Sequence, residues 1–222
     1  MIYTIKHFDT PVLKFSAETG AELNIQVLWV TKETKLLPLD LSEATSEGVE
    51  AWIRNRTIPK NRAYVDSLLA TMGLSRNRPM DIIRLSKGLS LNDCYWITEE
   101  GFDGSFERYN LYDHRFSNVL GLIAFTGYGS STAPGFSSSP EFTTHGMLPK
   151  CWRRQGKIKL YKGGTEGAAN TGFEPYSEYY ASKIAEMIGI NAVPYTLSKW
   201  KGRICSVCDL FTSKELSYIP IG

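Results

Sequence analysis

The chain has 222 residues, enough for one good-sized domain or two small ones packed together. With 42% hydrophobic and 22% charged residues it can bury a core, which excludes global disorder, and a formal net charge of +2 is too small to imply a polyanionic partner by itself. There is no apolar run of the roughly 18 residues that a membrane span needs, MIYTIKHFDT lacks a signal-peptide core, and four scattered cysteines (Cys94, Cys151, Cys205, Cys208) do not form a disulfide framework, so reduced thiols in the cytoplasm are expected.

The first forty residues read as β structure. VLKF and ELNIQVLWV are rich in β-branched and aromatic residues, with a turn at Thr19-Gly20, and a short antiparallel unit should end near Pro38. From about Ser42 the period becomes helical: Val49, Trp52 and Ile53 share a face. Residues 63–72 (AYVDSLLATM) form a second helix stopped by Gly73, and PMDIIRLS a third, opened by Pro79 and closed by Gly88. Residues 98–141 are less regular. A helix over residues 115–125 is expected from the stripe Phe116, Val119, Leu120 and Ile123, followed by the Gly/Ser/Pro-rich TGYGSSTAPGFSSSPEF. This composition divides the chain into a front module (1–126), a loop (127–141) and a back module (142–222).

The back module reads strand, strand, helix, strand, strand. GMLPKCWRR and GKIKLYK meet at Gln155-Gly156, PYSEYYASKIAEMIG is a helix from Pro175 to Gly189, and VPYTLSKW and RICSVCDLF meet at Lys201-Gly202. The fold class is α+β: a small N-terminal β unit with a helical layer, then an antiparallel sheet with one packed helix.

Three features of that sheet carry chemistry. Strand alternation puts Ile158, Leu160 and Lys162 on one face, so Lys162 either meets an anion at the end of an apolar stripe or leaves the strand for water. Glu178 lies one turn into the following helix, beside the stripe Tyr176, Tyr180, Ile184 and Met187. A strand lysine followed by a helix glutamate is how protein kinases hold the lysine that contacts ATP phosphates; the alternative is a favourable charge near a helix N-terminus. In HGMLPK, Gly146 permits close backbone approach and Lys150 adds positive charge.

HGMLPK, CWRR, KIKLYKGG, EPYSEYYASKIAEMIGI and SVCDLF together resemble the N-lobe of the HipA family of ATP-dependent serine/threonine kinases, bacterial toxins and related effectors. The resemblance covers residues 142–222, with the front module corresponding loosely to the family's variable N-terminal region. It implies that Gly146 and Lys150 belong to a phosphate loop, that Lys162 contacts ATP and pairs with Glu178, and that Asp209, Leu210 and Phe211 form the hinge whose backbone meets adenine. Thr143 and Thr144 stand where the family can be phosphorylated to switch that loop. Leu148 and Pro149 replace the usual loop glutamine, and Leu210 replaces a common hinge arginine. The family's catalytic aspartate and metal-binding residues would fall beyond Gly222. The resemblance therefore implies no catalytic or metal-binding residue within these 222 positions and Mg2+ only with a C-lobe supplied, in trans if this is half of a split kinase.

Three other patterns have weaker readings. YDHRFSN (112–118) has the wrong order and position for a kinase catalytic loop, and Asp113 is expected near a helix cap. Cys205 and Cys208 lack a second close pair for zinc and read as core. Arg54, Arg56, Lys60, Arg62, Arg76, Arg78, Arg84 and Lys87 make residues 54–87 basic, either a solvated or protein-docking surface or a nucleic-acid contact. The competing functional reading is a non-catalytic partner subunit or regulator built on the same lobe.

Overall fold

The computed structural model describes residues 1–18, 20, 23–41, 43–129, 139–166 and 171–219. Thr19 of the expected first turn, Ser42, the heart of the 127–141 loop, residues 167–170 of the connection before the last helix, and residues 220–222 lie outside them.

Two four-stranded antiparallel sheets organise the chain. The first contains β1 (Ile2–His7), β2 (Thr10–Ala17), β3 (Ile25–Val30) and β4 (Tyr95–Glu99), in the order β3-β2-β1-β4. The expected front unit is thus larger than VLKF and ELNIQVLWV alone. β1 forms a hairpin with β2, and β4 returns from residue 95 to pair Tyr3 with Glu99 and His7 with Tyr95. Short α1 (Ser46–Asn55), α2 (Val65–Thr71) and α3 (Pro79–Ser86) make the helical layer between β3 and β4. Thr45 starts α1 by accepting the Gly48 N–H at 3.1 Å, and Val49, Trp52 and Ile53 turn inward as their spacing predicts. They pack against Tyr3, Ile5, Phe15, Met80 and Ile97 on one face of the sheet.

After the one-turn α4 (Phe106–Tyr109) comes α5 (Asn118–Thr126), which starts three residues later than expected. Its cap is Ser117, which accepts the Leu120 N–H at 3.2 Å. Asp113 is not the cap: it sits in the preceding loop, bonded to Asn110 and paired with Lys214 at 2.5 Å.

The second sheet contains β5 (Lys150–Gln155), β6 (Lys157–Gly163), β7 (Thr196–Trp200) and β8 (Arg203–Asp209), in the order β5-β6-β8-β7. Both expected hairpins are present. At Lys201-Gly202 both central residues have positive φ, 51° and 80°, the geometry whose twist matches paired strands. Residues 146–149, expected to open the first strand, are instead a loop.

The sheet has two differently used faces. Cys151, Tyr161, Cys205 and Val207 cluster with Phe125 of α5 on one. On the other, Lys162 and Ser206 reach α6 (Glu174–Met187) through Glu178. Cys205 and Cys208 point to opposite faces, Cys208 joining Trp96, Trp152 and Leu160. Among the described residues no group of three or more His, Cys, Asp or Glu could hold a metal ion, and no helix is long and apolar enough to cross a membrane.

Candidate nucleotide cleft

Lys162 turns inward. Its ammonium lies 2.7 Å from Glu178 Oε1 and donates at 2.7 Å to the Tyr195 hydroxyl. The other Glu178 oxygen accepts the hydroxyl of Ser206, a wholly buried β8 residue. Burial pulls the Lys162 pKa down, yet hydrogen bonds to Glu178 and Tyr195 outweigh it and leave it above the ordinary lysine value. The ammonium is therefore charged at neutral pH.

Lys150 is its cross-strand partner in the β5–β6 register. It is only 5% exposed and forms no ion pair within 4.0 Å among the described residues; its amine donates at 2.7 Å to the His145 carbonyl. Burial, with Arg62 and Lys162 nearby, brings its pKa down to about 7, against weaker support from Glu178 and Glu141. Two cross-strand amines thus flank one carboxylate at this edge of the cavity, while Asp40 and the Arg56-paired Asp93 line it elsewhere.

Gly146 makes room for this arrangement. It has φ +91°, and a Cβ there would stand 2.5 Å from the Lys150 amine. The preceding segment is clamped to the helical layer. Arg62 and Glu141 form a buried pair at 2.8 Å, Arg62 also donates to the Lys150 carbonyl, and the Ala63 N–H donates to the Met147 carbonyl at 2.9 Å. Thr143 is 4% exposed and donates to the Leu89 carbonyl at 2.8 Å; Thr144 donates to Pro140 and accepts the Trp152 indole N–H.

A cavity of about 870 Å³ opens beside these groups, within the size range of small-molecule sites. Gly146, Lys150, Lys162, Leu210 and Phe211 line it, while Leu160, Val193 and Cys208 give it apolar floor. Asp209 is not among its walls: its carboxylate faces Lys157 and Lys159, each at 3.3 Å. The Leu210 N–H already donates to the Ile158 carbonyl at 2.9 Å. Asn92, Asp93 and Tyr95 from the front part close the far side, where the Tyr218 N–H donates to the Asn92 carbonyl at 2.7 Å.

Two sequence expectations change here. The stripe Tyr180, Ile184 and Met187 of α6 is exposed, not packed on the sheet. The basic patch is largely neutralised: Arg54, Arg56, Arg62, Arg76, Arg78 and Arg84 are each paired with a carboxylate, so little charge remains to release counterions from a nucleic acid. Tyr195 and Ser206, which complete the lysine–glutamate constellation, carried no sequence signal. Each is an ordinary hydroxyl residue, Tyr195 brought to Lys162 from a connection and Ser206 to Glu178 from another strand.

An antiparallel four-stranded sheet with one helix on its cleft face, joined by a lysine–glutamate pair, defines a kinase-N-lobe-like fold. The particular likeness is to HipA. A chain of the solved complex of the Shewanella oneidensis MR-1 toxin–antitoxin system HipA, HipB and its operator DNA superposes with a TM-score of 0.57 over 94% of this chain, at 14% identity. The present chain spans half the length of that one. No family model matches the sequence, and no curated protein matches it. What is shared is a HipA-like fold.

Proposed function

We propose that this chain is the ATP-binding lobe of a HipA-like serine/threonine kinase. The observation that carries the reading is the 2.7 Å Lys162–Glu178 pair at the edge of a cavity also lined by the buried, acid-free Lys150. A buried ammonium without a carboxylate is costly; a polyphosphate would give Lys150 the anion it lacks and Lys162 a second one beside Glu178. In this reading Lys162 and Lys150 hold phosphate oxygens, Glu178 aims Lys162, and Gly146 keeps the loop close. Leu160, Val193 and Leu210 sandwich the base. ATP supplies the phosphoryl group; the chain's own residues orient it and offset its charge.

The groups that activate a hydroxyl and hold Mg2+ would come from a second lobe, on this chain or another, matching the unaligned half of the HipA chain. The exposed face of α6, with Tyr180, Ile184 and Met187, is where we place it. The HipA structure includes HipB and operator DNA; for this chain a protein partner fits better than DNA, because its basic patch is internally paired.

Titration with ATP tests the reading. Saturable binding abolished by Lys162→Ala supports it, and no binding at millimolar ATP favours a non-catalytic scaffold.

A further inference from the structure

Tyr195 stands on the connection between α6 and β7, and three contacts fix it. Its N–H donates to Ser182 Oγ on α6 at 3.2 Å, its hydroxyl accepts from Lys162 at 2.7 Å, and its ring centroid lies 4.8 Å from the same ammonium. Burial raises the phenol pKa to about 12, so the hydroxyl stays neutral and able to accept.

An ammonium has three N–H donors. Glu178 takes one and Tyr195 takes another, which sets the rotation of the group about its Cε–Nζ bond. We propose that Tyr195 is a positioning residue: it locks Lys162 so that the remaining N–H is turned to the cavity, where a phosphate oxygen of the nucleotide is received. Both acceptors depend on α6, Glu178 as part of the helix and Tyr195 through Ser182. This rests on the nucleotide reading above. The groups facing Lys162 from its surroundings are Glu178 on α6, Lys150 on β5, Cys208 and Ser206 on β8, and Tyr195 itself; Tyr195 supplies a neutral acceptor where Lys150 supplies repulsion.

Tyr195→Phe keeps the ring and removes only the acceptor. Two readouts are taken on the full chain: proton exchange of the Lys162 ammonium from its ¹H–¹⁵Nζ cross-peak, assigned with Lys162→Arg, and ATP affinity at pH 7.5. The expected result is faster exchange together with about tenfold weaker ATP binding, because the ammonium no longer holds one N–H fixed toward the cavity; the lost bond is internal to the protein and lowers the melting temperature as well. Weaker binding with unchanged exchange would show a packing role and overturn the proposal, as would faster exchange with unchanged affinity. If the wild-type chain binds no ATP, the nucleotide reading falls; unchanged exchange in that case removes the strut as well, whereas faster exchange upholds it.

Discussion

Lys150 puts a titratable amine where the fold supplies a backbone carbonyl, two other cations and only distant acids. Its consequence for stability has a definite sign. The ordinary lysine value is 10.5 and the folded value about 7. Below pH 7 the amine is protonated both folded and unfolded, and the native state bears the buried charge in full. Between about pH 7 and 10.5 the unfolded chain holds a proton that the folded chain has released. Stability therefore rises with pH across that window, by up to about 1.4 kcal/mol per unit. Lys150→Met should flatten this rise and be the more stable protein at pH 6; urea unfolding at pH 6, 7.5 and 9 measures the difference. Parallel curves for the two proteins would mean the amine escapes to solvent. The same residue marks the limit of legibility in the sequence. HGMLPK puts a cation near a glycine in the sequence, but burial of Lys150 depends on Arg62 and Glu141, respectively 88 and 9 positions upstream in the chain, and no local pattern announces that clamp.

At the scale of elements, local rules did well where the pairing was local. The β5–β6 and β7–β8 hairpins follow from alternation and a Gly at each turn, and α1 and α3 follow from apolar spacing. β4 carries little local signal, because YWITE is only five residues long and its partner lies some 90 positions earlier. Residues 146–149 do not extend β5 as the alternation predicts, because the Met147 carbonyl accepts the Ala63 N–H of the helical layer and not a strand partner. α6 exposes a different failure. Its stripe has the period of a buried face, yet only Pro175 is buried in the whole helix. Periodicity says that a face is apolar, not that this sheet covers it. Ile184→Asp, which would be ruinous at a core position, should therefore shift stability by no more than about 0.5 kcal/mol, as at exposed sites. Ile123→Ala on α5, where the side chain is 1% exposed, should cost about 2–5 kcal/mol. Thermal unfolding of the two variants separates the faces, and a large loss at Ile184 would refute an open α6.

The whole molecule is held by a core that ignores the compositional break. Trp152, Leu160 and Cys208 of the second sheet pack with Leu89, Leu91, Trp96 and Phe106 from the front part, and Arg154 donates at 2.9 and 2.7 Å to the Leu111 and Tyr112 carbonyls. α5, which precedes the Gly/Ser/Pro-rich stretch, lies against β5, with Phe125 on Cys151 and Tyr161. The candidate cleft is built across the same seam, with Asn92 and Asp93 facing Lys150 and Lys162. Contacts this extensive couple the two sheets energetically, so neither should melt alone. Unfolding followed by tryptophan fluorescence, with Trp52 and Trp96 on one side and Trp152 and Trp200 on the other, should coincide with far-ultraviolet circular dichroism in one transition. Trp152→Ala, a truncation at the shared cluster, should cost about 3–5 kcal/mol and move that transition without dividing it. Two separated transitions in the wild type, or a split produced by Trp152→Ala, would mean that each sheet keeps its own cooperative unit. The cleft would then be an interface that opens, and its affinity for any anion would depend on how often the two sides part.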